Sequence, residues 1–232
     1  MRIAIVSDIH GNLPALEAVM DDLEKRSPDE VWCAGDLGWG GPWASECIAI
    51  VRAAGWTTVK GNTDIWIAGD PQTVEDPNER NEMNEVAAAH NISEDDAEWL
   101  VNLPLGHHGP GAILMVHATP QSPFVAPFPD DPPADFNVYA GQASLMIYGH
   151  VHHAFVKKLP DDTIVANPGS VGLPQDGPEA SYLLVDQKGP DLTLRHRRIP
   201  FDVAAAEAKG KEIGGPVGKM FVEGLRSRRE RA

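Results

Sequence analysis

Five short apolar runs, each halted by a side chain able to bind a cation, constrain this chain more than any other feature. Arg2 to Val6 runs into Ser7-Asp8-Ile9-His10, Glu30 to Ala34 into Gly35-Asp36, and Thr57 to Lys60 into Gly61-Asn62. Further on, Ala112 to Val116 stops at His117, and Leu145 to Tyr148 stops at Gly149-His150-Val151-His152. Runs of this length and composition, bounded by Gly, Asp and Asn, read as buried strands. Helical patterns separate the first three. Leu13, Leu16, Val19, Met20 and Leu23 recur at helical spacing behind Asn12, an N-cap, with Pro14 in the first turn. Ala44 to Ala53 form a second helix, stopped by Gly55. Strands and helices alternating through short connections predict a largely parallel sheet covered by helices.

The middle and the end depart from that rhythm. Residues 64–98 hold eleven acidic residues and one Arg. Pro71, Pro77 and the polar residues between them predict a loop. Glu79 to His90 and Ser93 to Val101 predict helices, the second with Ser93 as N-cap and Asp96 three residues on. Such an acidic block is either a solvated face or a regulatory or partner surface. Pro120 to Pro133 carries Phe124, Phe128 and Asp130-Asp131-Pro132-Pro133, a long loop of the kind associated with function or mobility. After Tyr148, the runs Ala154–Leu159, Thr163–Ala166, Tyr182–Val185 and Leu192–Ile199 follow with few helical patterns between them. Asp161-Asp162 marks a hairpin turn, so this half predicts an antiparallel meander. Residues 203–232 are partly helical, interrupted at Gly214-Gly215-Pro216, and end in Arg226, Arg228, Arg229 and Arg231. One domain over 1–232 is expected, with an acidic helical insertion over 64–104, a Pro-rich loop over 118–136 and a C-terminal helical extension over 203–232.

Composition removes several function classes. The chain has 232 residues, 42% of them hydrophobic, enough for one sizeable core. Its net charge of −15 repels nucleic-acid backbones and anionic lipid. No apolar run approaches the roughly 18 residues of a membrane helix. Neither nucleic acid nor a membrane is therefore an expected partner. Cys33 and Cys47 cannot make a disulfide framework, and Met1 to Asp8 lacks the pattern of a signal peptide, so a reducing cytoplasm is the expected location.

In open α/β sheets, ligands bind outside the carboxyl ends of the strands. Five ends brought side by side would gather Asp8, His10, Asp36, Asn62, His117, His150 and His152 in one crevice. Each taken alone has a plainer reading: a hydrogen-bonded histidine, a capping aspartate, a Gly-Asn turn. Together they form a mixed nitrogen and oxygen donor set that suits Mn²⁺, Fe, Zn²⁺ or Ni²⁺ better than Mg²⁺ or Ca²⁺ alone. Seven donors exceed one tetrahedral ion with an open position but fit two ions sharing a carboxylate. Such a site needs neutral imidazoles and ionised carboxylates, so activity falls in acid.

Ser7-Asp8-Ile9-His10, Ala34-Gly35-Asp36, Lys60-Gly61-Asn62, Val116-His117 and Gly149-His150-Val151-His152 resemble, in this order, the five blocks of calcineurin-like metallophosphoesterases. The resemblance spans residues 3–186. Asp8-Ile9-His10-Gly11-Asn12 and Asn167-Pro168-Gly169-Ser170-Val171-Gly172 further resemble the compact bacterial and archaeal branch labelled diadenosine-tetraphosphatase-like or phosphodiesterase-like. The resemblance implies a four-layer α/β/β/α sandwich of two mixed sheets. It also implies two divalent metal ions, Mn first and Fe, Zn, Ni or Mg as alternatives. Asp8, His10, Asp36 and His152 would hold the first ion, with Asp36 bridging, and Asn62, His117 and His150 would complete the second. Water or hydroxide between the ions would attack phosphorus in line with the leaving oxygen of a small phosphodiester or phosphomonoester, a nucleotide being one candidate, and Asn62 would also hydrogen-bond a phosphate oxygen. The alternative is a metal-binding interaction scaffold of the same fold with little or no turnover.

Two departures from the family pattern bear on substrate. Thr63 stands where many members carry a His that protonates the leaving group, and threonine is far too weak an acid for that role. His153 is taken first as the substitute, ahead of Asp64, His107 and His108, which makes the expected catalytic set Asp8, Asp36, Asn62 and His153. Leu37-Gly38-Trp39-Gly40-Gly41 lacks the Arg with which protein phosphatases of the family grip phosphate. Both departures favour substrates with good leaving groups, such as aryl or nucleotide phosphodiesters. Asn12, Asn62 and Asn167 are the expected substrate contacts, Asn12 doubling as N-cap and Asn167 having a turn as its alternative role. Phe124 and Phe128 either stack on a nucleobase or pin their loop. Trp39 and Trp43 either wall the cleft or pack in the core, and Cys33 is a small core residue.

Overall fold

Alternating burial along the first strand sets the architecture. In β1 (Arg2–Val6), Ile3 and Ile5 face one apolar cluster while Ala4 and Val6 face another, so the strand is covered on both sides. β2 (Glu30–Cys33) and β3 (Thr57–Thr58) continue the sheet in parallel, as the alternation predicts. The computed structural model describes residues 1–69, 74–189 and 191–227. The expected loop at Pro71 and the arginines Arg228, Arg229 and Arg231 lie outside them.

Helices α1 (Leu13–Arg26) and α2 (Ala44–Ala53) cover the outer face of this sheet. Asn12 caps α1 by accepting from the Ala15 N–H, and Pro14 occupies its first turn. The acidic segment builds α3 (Asn62–Ile67), α4 (Pro77–His90) and α5 (Glu94–Val101). Asp76 and Ser93 cap the last two. Val86, Ala87, Leu100 and Leu103 join the same apolar cluster as α1 and α2, while Glu79, Glu82, Glu85, Glu94, Asp95 and Glu98 are exposed and Asp64 is buried.

The second sheet is built from β4 (Gly106–Gly109), β5 (Ile113–Val116), β6 (Leu145–Tyr148), β7 (Ala154–Lys158) and β8 (Ile164–Pro168), in the order β4-β5-β6-β8-β7. β9 (Ala180–Lys188) and β10 (Asp191–Ile199) return to the first sheet, whose order is β10-β9-β1-β2-β3. The expected meander is therefore divided. The β7–β8 hairpin stays in the second sheet, with β8 parallel to β6, whereas β9 pairs antiparallel with β1. Burial explains the division: Ala180 to Val185 are all buried, so β9 needs a sheet position covered on both faces.

Ile3, Ile5, Trp32 and Val59 meet Ile113, Met115, Leu145 and Ile147 between the two sheets. On the outer face of the second sheet, a 3-10 helix (Pro133–Val138) from the Pro-rich loop supplies Phe136, which packs with Tyr139, Tyr148 and Phe155. The C-terminal segment forms α6 (Val203–Ile213) and α7 (Gly215–Ser227), packed on each other, with α6 against α1 and α7 against α4. No helix among the described residues is long and apolar enough to cross a membrane.

Candidate metal centre

Backbone hydrogen bonds tie the loop that follows β1 to those after β2 and β8, and the loop after β5 to the loop after β6. Asp8 N–H donates to Gly35 O, His10 N–H to Asp36 O, Gly149 N–H to His117 O and Gly172 N–H to Asp8 O. Two glycines let the loops approach this closely. A Cβ on Gly61 would lie 2.0 Å from Asp36 Oδ1, and one on Gly149 would lie 2.0 Å from Ser7 Oγ. Five of the seven predicted donors sit at positive φ: Asp8 (55°), His10 (47°), Asp36 (60°), His150 (66°) and His152 (58°). Non-glycine residues rarely adopt this region, and its concentration here marks a backbone held in place by the surrounding structure.

All seven side chains converge. Asp8, His10 and His152 form one group and Asp8, Asp36 and His117 another, each with one donor atom per residue lying within 4.8 Å of the others. Asp36 Oδ2 lies 3.7 Å from His10 Nε2 and 3.5 Å from His117 Nε2, between the two sides. Asn62 Oδ1 lies 3.0 Å from both His117 Nε2 and His150 Nδ1.

The donor set fits cations because it holds too many lone pairs. His10 Nδ1 donates to Trp39 O at 2.9 Å and His152 Nδ1 to Leu173 O at 2.8 Å. Those bonds require a proton on each Nδ1, which leaves both Nε2 atoms as acceptors in the neutral rings. Yet the two Nε2 atoms are 3.1 Å apart, and His152 Nε2 is 3.2 Å from Asp8 Oδ1. Three acceptors facing one another demand a cation, either a proton or a metal ion. His117 is oriented in the same way, its Nδ1 donating to Ala34 O at 2.7 Å. A histidine anchored through one nitrogen to a carbonyl, with the other nitrogen presented, is the usual arrangement of a metal ligand.

The titration of the site agrees with that need. Burial pushes the Asp8 carboxyl up, but His152, His117 and His10 outweigh it and hold Asp8 below the ordinary carboxylate range. Burial lowers His152 and His117, yet the neighbouring Asp8 and Asp36 carboxylates raise both above the usual imidazole value. His10 is lowered by burial and by His152, and His150 is lowered to about 4 by burial and His117.

The sequence pattern of the calcineurin-like phosphoesterase superfamily domain matches residues 1–189. The chain belongs to that superfamily. Its members hydrolyse phosphoester bonds with divalent metal ions, and the chain is accordingly a metal-binding hydrolase. An uncharacterized protein of Methanocaldococcus jannaschii is 30% identical over 227 residues, covering 89% of this chain and 90% of that protein. A metallophosphoesterase from Sphaerobacter thermophilus superposes with a TM-score of 0.76 at 28% identity, over 97% of this chain and 100% of that one. A symmetrical bis(5'-nucleosyl)-tetraphosphatase of Aliivibrio fischeri is 31% identical over 122 residues, which is 51% of this chain but only 45% of that enzyme.

Other predicted residues of this calcineurin-like phosphoesterase lie around the centre. Asn12 is fully buried, its carboxamide accepting from Ala15 N–H and donating to Gly172 O at 2.8 Å. Asn167 is also fully buried, donating to Gly149 O at 2.6 Å and accepting from Gly169 N–H at 2.9 Å. Both amides brace the loops that carry the donors. His153 stands one residue beyond His152, with Nδ1 bonded to Val151 O at 2.6 Å and its ring edge-on to Phe128 at 6.0 Å. Trp39 supplies the carbonyl behind His10 and meets Trp66 at 5.7 Å, which in turn meets Phe124 at 6.2 Å. Trp43 packs against Phe221, and Cys33 is a buried core residue.

Asp64 has a role that its spacing in Gly61-Asn62-Thr63-Asp64 hints at but does not disclose. Its fully buried carboxylate accepts from the N–H groups of Asp36 and Leu37, each at 2.9 Å, and of Gly61 at 2.8 Å. It thus binds the Asp36 loop to the Asn62 loop. The third helical position of α3, where an acidic side chain reaches back to the N-cap N–H, is the available signal. The carbonyls of Trp39, Leu173 and Ala34 carry no signal in the sequence at all.

Proposed function

We propose that the chain hydrolyses small phosphodiesters, and phosphomonoesters more weakly, at a pair of divalent cations. Asp8, His10, Asp36 and His152 would hold the first and Asn62, His117 and His150 the second, with Asp36 between them. The observation that carries this reading is the facing lone pairs of His10 Nε2, His152 Nε2 and Asp8 Oδ1, repeated on the other side by Asp36 and His117. The cations would generate a nucleophile from water at neutral pH and offset charge on the phosphoryl oxygens.

The chain's own groups do the remaining work. Asn62 turns its Oδ1 toward His117 and His150, an orientation in which its Nδ2 would donate to a phosphoryl oxygen. Thr63 follows it with a buried hydroxyl that has no bonded partner among the described residues and is too weak an acid to protonate a leaving group. A leaving group stable as its own anion then reacts fastest, as aryl and nucleotide oxygens do. His153, one residue from His152 and beside Phe128, is the group we take for proton delivery.

Aromatic side chains at the rim suit the same substrates. Phe128 is 51% exposed, although its loop is fixed by Tyr148 Oη donating to Pro127 O at 2.5 Å and Lys157 Nζ donating to Pro129 O at 2.8 Å. A ring held exposed on a rigid loop beside His153 is placed to stack on a flat substituent. The tetraphosphatases among the relatives act on bis(5'-nucleosyl) compounds, so dinucleoside polyphosphates belong with cyclic nucleotides and simple esters in a substrate panel.

With Mn²⁺ added, bis-p-nitrophenyl phosphate should be hydrolysed with a higher kcat/KM than p-nitrophenyl phosphate. A strong preference for the monoester would overturn the assignment of leaving-group chemistry. Absence of turnover on the whole panel, with both ions bound, would leave the fold serving as a scaffold.

A further inference from the structure

We propose that the C-terminal α6–α7 hairpin is a positioning element for the first cation subsite, acting through the backbone carbonyls that orient His10 and His152. The proposal rests on the ligand assignment above. The hairpin lies beyond the residues 1–189 that match the superfamily pattern.

Its buried face is built around Ala206, Phe221 and Leu225, and the residues it packs against include Trp43 and Leu173. Phe221 is fully buried and meets Trp43 edge-on at 6.3 Å. One residue earlier, Met220 Sδ lies 3.2 Å from where a Cβ on Gly40 would stand, and a Cβ on Gly224 would stand 3.1 Å from Leu173 Cδ2. α7 is therefore pressed against two loop segments, 39–43 and the turn at 173.

Those two segments hold the first subsite. Trp39 O accepts from His10 Nδ1, and Trp43 N–H donates to Gly11 O, so the 39–43 segment fixes His10 from both sides. Leu173 O accepts from His152 Nδ1. Both imidazoles thus take their tautomer and their direction from carbonyls on segments under α7. The other subsite is braced by different groups: His117 by Ala34 O, and the shared Asp36 by Thr63 N–H at 3.0 Å and by Asp64. Loosening the hairpin should release one ion and spare the other.

The test is Mn²⁺ binding to the full chain, read by calorimetry and by the spin-coupled electron paramagnetic resonance signal of a paired site. Wild type should bind two ions. Phe221→Ala should weaken one ion by roughly tenfold or more, the scale seen when outer-shell partners of a ligand are removed, and should lose the coupled signal while the other ion binds as before. Phe221→Leu, which keeps the apolar contact, should restore most of the affinity. Phe136→Ala opens a cavity of the same kind in the cluster outside the second sheet and serves as the control for general destabilisation; it should keep two ions with wild-type constants. Unchanged constants in Phe221→Ala, or equal weakening of both ions there and in Phe136→Ala, would overturn the proposal. Failure of the wild type to bind two ions would instead overturn the ligand assignment.

Discussion

Replacing Asp64 separates a bracing carboxylate from a merely buried one. Its carboxylate takes three N–H donors, two on Oδ2 from Asp36 and Gly61 and one on Oδ1 from Leu37, with no solvent access. Burial and the nearby Asp36 push its carboxyl up to about 6, so at pH 8 it is ionised. In Asp64→Asn the amide can turn its oxygen toward Asp36 and Gly61, leaving only the Leu37 N–H unpaired at a cost of about 1–3 kcal/mol, and at pH 8 the loss of a charge that burial and Asp36 disfavour offsets part of that cost. Asp64→Ala strands all three donors, about 3–9 kcal/mol before any water enters the space and recovers part of it. The upper end rivals the whole stability of a domain. Urea denaturation at pH 8 in the presence of a chelator should therefore place Asp64→Ala well below both Asp64→Asn and wild type in midpoint, with a common slope. Equal stability of the two variants would refute the account of three bonds to one buried acceptor.

Asp36→Asn should abolish most hydrolysis and deplete both ions, since Asp36 Oδ2 lies between His10 and His117; elemental analysis of the purified variant reads the second effect directly. His153→Ala should retain the full metal content, because His153 bonds Val151 O and meets Phe128, and an emptied site would show that the ligand set is misassigned. Asp22 tests the fold away from the centre. Burial pushes its carboxyl up, but Arg197, Tyr182 and Arg26 outweigh that and hold it at about 2, against 3.8 for a free aspartate. A depressed carboxyl of this kind contributes about 2 kcal/mol above pH ~4 and loses it as the pH falls through ~2. Asp22→Asn should lower stability by that amount at pH 7 and by almost nothing at pH 2, measured by thermal or urea unfolding.

The strands that end in donors were legible because two independent patterns coincide in them, an apolar run and a polar stop. β1, α2 and β6 have the bounds that the residues predict, and the N-caps at Asn12 and Ser93 are where their side chains indicated. β4 was not legible. Gly106-His107-His108-Gly109 has no strand propensity, and it pairs because β5 presents a free edge. α3 was hidden for a related reason: Asn62 and Asp64 read as turn and acidic-surface residues, although they open a helix and turn inward. The split of the last four strands between two sheets depends on which of them must be covered on both faces, a tertiary condition that hairpin signals do not encode. Within the site, residue types pointed to the side chains that converge, but the carbonyls that choose each histidine tautomer belong to the backbone and are invisible until the chain is folded.

Positive φ at five donors and the facing acceptors at the first subsite are two aspects of one design. Residues in the left-handed region cost of order 1 kcal/mol or more each, least for Asp, Asn and His, whose enrichment there makes them the side chains best able to act as donors at such turns. Left-handed turns aim side chains inward from the ends of strands that would otherwise point them alternately to the two faces of the sheet. The offset comes from the ties between loops, from Asp8 N–H to Gly35 O, His10 N–H to Asp36 O and Gly172 N–H to Asp8 O, together with the bonds to Asp64. Because those ties use backbone groups and the Asp64 carboxylate and none of the atoms that would face a cation, they hold the loops whether or not one is present. The seven side chains are then kept close to one another against their own repulsion, and a divalent ion entering the centre would relieve that repulsion instead of having to organise the loops. Under the proposed ligand assignment, preorganisation of this kind would place the determinants of metal affinity in the bracing groups as much as in the seven donors themselves.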